Sequence, residues 1–295
     1  MMVQEWSIER YKIIDISMIL KFYQVDVFTS IPFKGNPVAV IFDADHLSDN
    51  EMQKIANWTN LSETTFIQSS SIGDYKLRIF TPKNELKFAG HPTVGSAFAF
   101  LKSGKLSCGK DEFVQECKAG LIKIKTVNHN ILAKFPEINL PDIKVNSSKI
   151  EEAIGCSITS NPIAINSGPV WLTFSVANKK ILNNIIIDID KTLKLSQLTG
   201  ISGLNVYCID EKASVHLRTF APILGILEDP VCGSGNAAVA VHLKLSGMHK
   251  IVGKNYLAYQ GSGMGREGIV QVITSDNDIY IGGDSVIVID GEISI

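Results

Sequence analysis

The chain has 295 residues, of which 45% are hydrophobic, 20% charged and 8% aromatic, a balance that excludes disordered, collagen-like and disulfide-scaffold classes. Its 28 Lys and Arg against 30 Asp and Glu give a net charge of −2, so no global field marks nucleic acid or an anionic membrane as a partner. At this length a single core nears the size at which chains divide, and two domains are expected.

Residues 1–20 carry Glu5, Glu9 and Asp15 within their apolar scatter and lack a small-residue cleavage site, which reads as an N-terminal extension. Alternation and β-branched content predict a strand over 23–29. Ser48 with Glu51 forms a capping box that opens a helix over 52–58, and a strand follows over 64–68. Leu77-Arg78-Ile79-Phe80-Thr81-Pro82 reads as a strand running into a loop. The turn Ala89-Gly90-His91-Pro92 precedes a helix over 93–101 that stops at Ser103-Gly104. A strand over 121–127 leads to a polar, Pro-containing stretch, 128–146, read as the linker. Ser148 with Glu151 is a second capping box, for a helix stopped by Gly155, and a helix over 191–198 is stopped by Gly200. A strand over 205–209, a helix over 236–245 and strands over 269–274, 278–282 and 285–289 complete the chain. The expected domains are 21–130, with 285–295 returning to it, and 131–284. Strands outnumber helices, which predicts an α+β protein with a large antiparallel or mixed sheet in each domain.

The two halves echo one another. Leu77-Arg78-Ile79-Phe80-Thr81-Pro82 recurs as Leu217-Arg218-Thr219-Phe220-Ala221-Pro222. Ala89-Gly90-His91-Pro92 and the run to Ser103-Gly104 align without gaps on Cys232-Gly233-Ser234-Gly235 and the run to Ser246-Gly247. Upstream, Gly35-Asn36-Pro37-Val38 resembles Ser167-Gly168-Pro169-Val170. The pattern predicts a duplicated plan of hairpin, helix, strands, glycine turn and helix.

A glycine turn before a helix presents unpaired N–H groups at the positive end of the helix dipole, a site for a carboxylate. Two such turns related by a pseudo-twofold can face one inter-domain cleft. A single such turn reads more simply as close packing of helix on sheet. Ionisable side chains decorate both, however: Glu63 and His91 in the first half, and Glu228, Asp229 and Ser234 in the second. A desolvated carboxylate there gains a pKa useful for proton transfer. Taken alone, Glu63 would be a surface or capping group and Asp229, before Pro230, a turn residue.

Asn60-Leu61-Ser62-Glu63-Thr64-Thr65-Phe66, Ala89-Gly90-His91-Pro92-Thr93 and Glu228-Asp229-Pro230-Val231-Cys232-Gly233-Ser234-Gly235, with Val25-Asp26-Val27-Phe28 and Gly35-Asn36-Pro37-Val38, resemble the PhzF-like family of phenazine biosynthesis. The resemblance runs from about Phe22 to the C-terminus. It implies a diaminopimelate-epimerase-like fold of two pseudo-symmetric domains, each a sheet wrapped around a central helix, with the active site between them. It further implies a homodimer, no cofactor, and an isomerase that moves a proton on a small carboxylic acid; no metal is expected from the residue spacing. By motif, Glu63 corresponds to the proton-shuttling carboxylate, with His91, Asp229 and Ser234 around the substrate. Gly90, Gly233 and Gly235 would contact its carboxylate through the backbone.

The epimerase branch of this fold, as the resemblance implies, uses one cysteine from each half. Here the internal alignment sets Cys232 opposite Ala89, so one thiol is absent and a symmetric two-thiol epimerisation is disfavoured. Cys232 remains either a reactive thiol at a helix N-terminus, serving an epimerase or dehydratase, or a small buried filler. A non-catalytic metabolite-binding protein is the further alternative. The five cysteines, Cys108, Cys117, Cys156, Cys208 and Cys232, show no CxxC or Cys/His ligand spacing, which argues against a disulfide framework and structural zinc. No apolar run reaches the ~18 residues of a membrane span, and the chain reads as cytoplasmic. Gly261-Ser262-Gly263-Met264-Gly265-Arg266 lacks a following helix and reads as a tight turn, with Arg266 as a candidate for meeting a carboxylate or a domain neighbour.

Overall fold

The computed structural model describes residues 18–106, 110–276 and 278–295. Most of the expected N-terminal extension, and Cys108, lie outside the described residues. The extension's last two residues, Ile19 and Leu20, already belong to a strand.

The first half runs β1 (Ile19–Val27), β2 (Asn36–Ile41), α1 (Asp49–Thr59), β3 (Thr64–Gln68), β4 (Tyr75–Phe80), β5 (Glu85–Leu86), α2 (Gly90–Lys102), β6 (Glu112–Cys117), β7 (Gly120–Val127) and β8 (Asn130–Lys134). The second runs α3 (Ser147–Ile154), β9 (Ile163–Asn166), β10 (Val170–Ser175), α4 (Lys179–Asn184), α5 (Ile189–Thr199), β11 (Gly203–Ile209), β12 (Val215–Ala221), β13 (Ile226–Asp229), α6 (Gly233–Leu245), α7 (His249–Val252), β14 (Asn255–Gln260), β15 (Gly268–Thr274) and β16 (Ile279–Gly283). A last strand, β17 (Ser285–Ser294), pairs antiparallel with β1.

The pairing scheme is the same in both halves. In the first, β1–β2 is antiparallel, β2–β3 parallel, β3–β4 and β4–β5 antiparallel, β4–β6 parallel, and β6–β7 and β7–β8 antiparallel. The second repeats this order and polarity from β9–β10 through β10–β11, β11–β12, β12–β13, β12–β14 and β14–β15 to β15–β16. The strands that end the two copies, β8 and β16, pair with each other antiparallel, Leu132 opposite Gly282. Pairing of equivalent elements with opposite polarity is what a twofold axis between the copies produces. The α+β architecture of two pseudo-symmetric halves is therefore present.

Within each copy a small-residue helix lies against the sheet. Val94, Ala97, Ala99 and Phe100 of α2 and Ala237, Val239, Ala240 and Leu243 of α6 are buried in a common apolar core. Small side chains let the helices approach closely: a Cβ on Gly95 would stand 2.6 Å from Val38 Cγ1. Both helices start one turn before the expected positions. Gly and Pro lower helix propensity in general, but in the first turn the amides lack intrahelical acceptors and proline is tolerated.

Three local expectations need correction. The second capping box does not form. Asn146, an equally good N-cap, accepts from Ser148 N–H at 3.0 Å, and Glu151 instead accepts from Ile158 N–H at 3.0 Å. The expected linker contains β8, because Asn128 and His129, at φ 49° and 71°, make a two-residue hairpin turn of the type that matches strand twist. Glu228 does not join the site. Neighbouring strand residues point to opposite faces, and Glu228 makes a bidentate pair with Arg218, at 2.9 and 2.7 Å. The first half carries the same pair, Arg78 with Glu85, and each arginine also lies over a phenylalanine two residues on, Phe80 or Phe220.

Candidate active site

Glu63 is delivered by the end of α1. Asn60 closes that helix in the left-handed region at φ 54°, and the chain then enters β3, beside β2. Thr65, two residues on, hydrogen bonds the Ala39 carbonyl at 3.0 Å and lies 2.8 Å from Ser96 Oγ on α2. This side-chain bridge fixes the Glu63 segment relative to α2, whose second residue is His91. The result is a close pair: His91 Nε2 lies 3.3 Å from Glu63 Oε2. Neither atom has a hydrogen-bond partner among the described residues, although both are buried.

Asp229 ends β13 and precedes Pro230. Its Oδ1 accepts from Val231 N–H at 3.1 Å, an Asx turn that hands the chain to Cys232, the N-cap of α6. Cys232 and Ala89 are the two N-caps, as the gapless alignment of the halves requires. Gly90 and Gly233 then bring the helix starts together, since a Cβ on either would stand 3.2 Å from the other's Cα. Both helix N-termini thus meet at the seam between the halves, with Glu63 and His91 on one side and Asp229 on the other.

Burial sets the protonation of this group. Desolvation pushes the Glu63 carboxyl up to about 7, against a weaker pull from the Ser62 hydroxyl. Desolvation likewise pushes His91 down to about 4, although the nearby Asp229 charge favours the imidazolium. Asp229 rises to about 6, through burial first, with His91 opposing and the Glu63 charge adding. Near neutral pH the site therefore holds a neutral imidazole and a Glu63 carboxyl balanced between acid and base, an arrangement suited to proton transfer.

The remaining expected residues divide. The first-turn amides of Gly90, His91, Gly233 and Ser234 have no acceptor within their helices, and both helix starts lie at the seam. Ser234 Oγ accepts from Trp171 Nε1 at 3.0 Å and also lies 3.4 Å from Cys232 Sγ, and its carbonyl accepts from Ser167 Oγ at 2.9 Å. Gly235 is placed differently: its N–H donates to Cys232 Sγ at 3.2 Å, and a Cβ there would stand 2.9 Å from both Asn205 Oδ1 and Thr219 Oγ1. Cys232 is buried beside Asp229, and desolvation followed by that charge holds the thiol well above its ordinary range. The acidifying effect of the helix N-terminus is outweighed. Arg266 donates to the Phe33 carbonyl at 3.4 Å and, among the described residues, pairs directly with no carboxylate. Among the described residues no cluster of three or more His, Cys, Asp or Glu side chains is arranged to hold a metal ion, and no helix is long and apolar enough to cross a membrane.

Two residues of the site escaped the sequence reading. Gln260 spans the turn, accepting from Cys232 N–H at 3.0 Å and donating to the Asp229 carbonyl at 3.0 Å. Asn36 reaches from the first half to Asp229 Oδ1 at 3.1 Å.

The family model for phenazine biosynthesis-like proteins (PhzC-PhzF) matches residues 25–291. The chain belongs to that family. It is 38% identical to the antisense-enhancing sequence 1 protein of Schizosaccharomyces pombe, over 92% of this chain and 97% of that one. It is 32% identical to the trans-2,3-dihydro-3-hydroxyanthranilate isomerase of Pseudomonas chlororaphis, over 83% and 87%. Among solved structures, a PhzF-family protein of Bacillus anthracis superposes with a TM-score of 0.80 at 26% identity, covering 94% of this chain and all of the other. A hydroxyproline epimerase of Agrobacterium vitis shares the fold, with a TM-score of 0.64 at 13% identity over 95% and 93%.

Proposed function

We propose that this PhzF-family isomerase moves a proton on a small carboxylic acid by general acid–base catalysis at the seam between its halves, without a cofactor. Glu63 takes the proton from a carbon acidified by conjugation and returns it elsewhere on the same molecule. His91, neutral, donates to or accepts from the substrate as charge shifts, Asp229 orients it, and the first-turn amides of α2 and α6 hold its carboxylate. The observation that carries this reading is the Glu63–His91 pair, whose facing atoms are buried, 3.3 Å apart and unpartnered among the described residues. Buried polar atoms without partners are rare, and a catalytic role is one explanation for them. The relative's substrate, trans-2,3-dihydro-3-hydroxyanthranilate, is the first compound to test, followed by other small unsaturated or hydroxylated acids. The cytoplasm and a homodimer belong to the same proposal, on the resemblance alone.

The test is NMR in deuterated water. Wild-type protein should place deuterium on a substrate carbon, and Glu63→Gln should abolish this while still binding the acid. Binding without carbon-bound exchange in the wild type would make the protein a metabolite binder, and undiminished exchange in the variant would remove Glu63 from the chemistry.

A further inference from the structure

Asn36 is 2% exposed, and its amide makes two bonds across the seam: Nδ2 donates to Asp229 Oδ1 at 3.1 Å and to the Val231 carbonyl at 3.0 Å. Oδ1 of Asp229 thus takes two donors, this amide and the Val231 N–H at 3.1 Å. A carboxylate oxygen holding two donors is the poorer place for a proton, so protonation and any substrate contact fall to Oδ2. His91, Glu63 and Cys232 are the titratable groups that act on this carboxyl in every variant compared.

The delivery of Asn36 is sterically dictated. Gly35 sits at φ +65°, where a Cβ would stand 2.2 Å from the Val27 carbonyl oxygen, and Asn36 then enters β2 directly opposite Val27. The internal repeat supplies a comparison within the molecule. The residue aligned with Asn36 in the second half is Gly168, which has no side chain to reach across. Ser167, beside it, bonds the Ser234 carbonyl within its own half. The clamp is therefore one-sided, whereas the pairings that build the fold are duplicated. A feature that departs from the repeat at the residues of the site belongs to the chemistry more than to the fold.

We propose that Asn36 is a positioning residue for Asp229: by claiming Oδ1 it fixes the carboxyl's rotation and makes Oδ2 the working oxygen. Its use in turnover rests on the acid–base reading above, but the clamp itself can be tested without substrate.

The experiment follows the Asp229 carboxyl by carbon-13 NMR in full-length protein across pH 4 to 9, with Asp229→Asn to assign the signal. A hydrogen bond to a charged group corresponds to about one pH unit. Asn36→Ala should therefore raise the Asp229 midpoint by about one unit, and Asn36→Gln, which keeps the amide, should recover part of it. Ser167→Ala, which loosens the adjoining first turn of α6 without touching Asp229, should leave the midpoint in place. Asn36→Ser, small and polar but too short to reach, serves where the alanine variant does not fold. An unmoved midpoint in a folded Asn36 variant, or an equal shift in Ser167→Ala, overturns the proposal. Failure of the deuterium test above would leave this midpoint shift intact, so the two readings fail separately.

Discussion

Gly90 and Gly233 back onto one another at the pseudo-twofold seam, each occupying the place where the other's Cβ would need room. They are the first residues of α2 and α6, so their separation sets the spacing of the two sets of first-turn amides.

Gly233→Ala puts a methyl group 3.2 Å from Gly90 Cα and 3.3 Å from His91 N, both backbone atoms that move only with their helix. Overpacking of this kind costs about 1–3 kcal/mol. The variant should melt lower and show weaker carboxylate binding than its modest steric change would suggest, because the amides separate by a few tenths of an ångström. Calorimetry and ligand titration check both, and unchanged affinity would detach these amides from binding.

The raised Glu63 carboxyl makes a second prediction, in stability. An acid whose folded pKa is about 7 keeps its proton where the unfolded chain, near the ordinary 4.5, has lost it. Its contribution is fully present below about pH 4.5 and declines as pH rises toward 7. Glu63→Gln removes this dependence. The variant should gain stability relative to wild type by about 2–3 kcal/mol between pH 5 and pH 8, as chemical denaturation at the two pH values would measure. An equal stability difference at both pH values would mean the carboxyl is hydrated.

His91 has the opposite sign. Its folded pKa is down at about 4, so between the ordinary 6.5 and 4 the unfolded chain binds a proton that the folded one refuses, and stability falls as the medium becomes acidic. His91→Asn should flatten the acid side of the stability curve over that window, and should lower exchange by about 10²–10⁴-fold if the imidazole transfers or shares the proton. A variant that retains the wild-type acid slope would place the lability elsewhere.

The sequence made the duplicated plan and the glycine turns legible because each rests on local signals: spacing, a capping box, a proline, a helix stop. Asn36 was hidden for the opposite reason. Its partner, Asp229, lies 193 positions away, and nothing in Gly35-Asn36-Pro37 says that the amide leaves its own half. Adjacent Glu228 and Asp229 likewise look equivalent along the chain, and only the strand's alternation sends one to Arg218 and the other to the seam. The behaviour of Cys232 turned on magnitude, since a helix N-terminus and burial act on a thiol in opposite directions and only packing shows which prevails.

Cys232 gives the last prediction. The residue is 4% exposed, and its thiol accepts the Gly235 N–H and is held protonated by burial beside Asp229, so neither access nor thiolate favours attack on an alkylating reagent. Native protein should leave Cys232 unlabelled by iodoacetamide at pH 8 while unfolded protein labels fully, as peptide mass spectrometry would show. Cys232→Ser preserves a cap acceptor for Gly235 and should retain exchange activity within about tenfold, the range of an indirect effect on Asp229 and far from the loss expected of a proton carrier. Rapid native labelling together with a dead serine variant would instead make the thiol the working acid or base, and Glu63 its assistant.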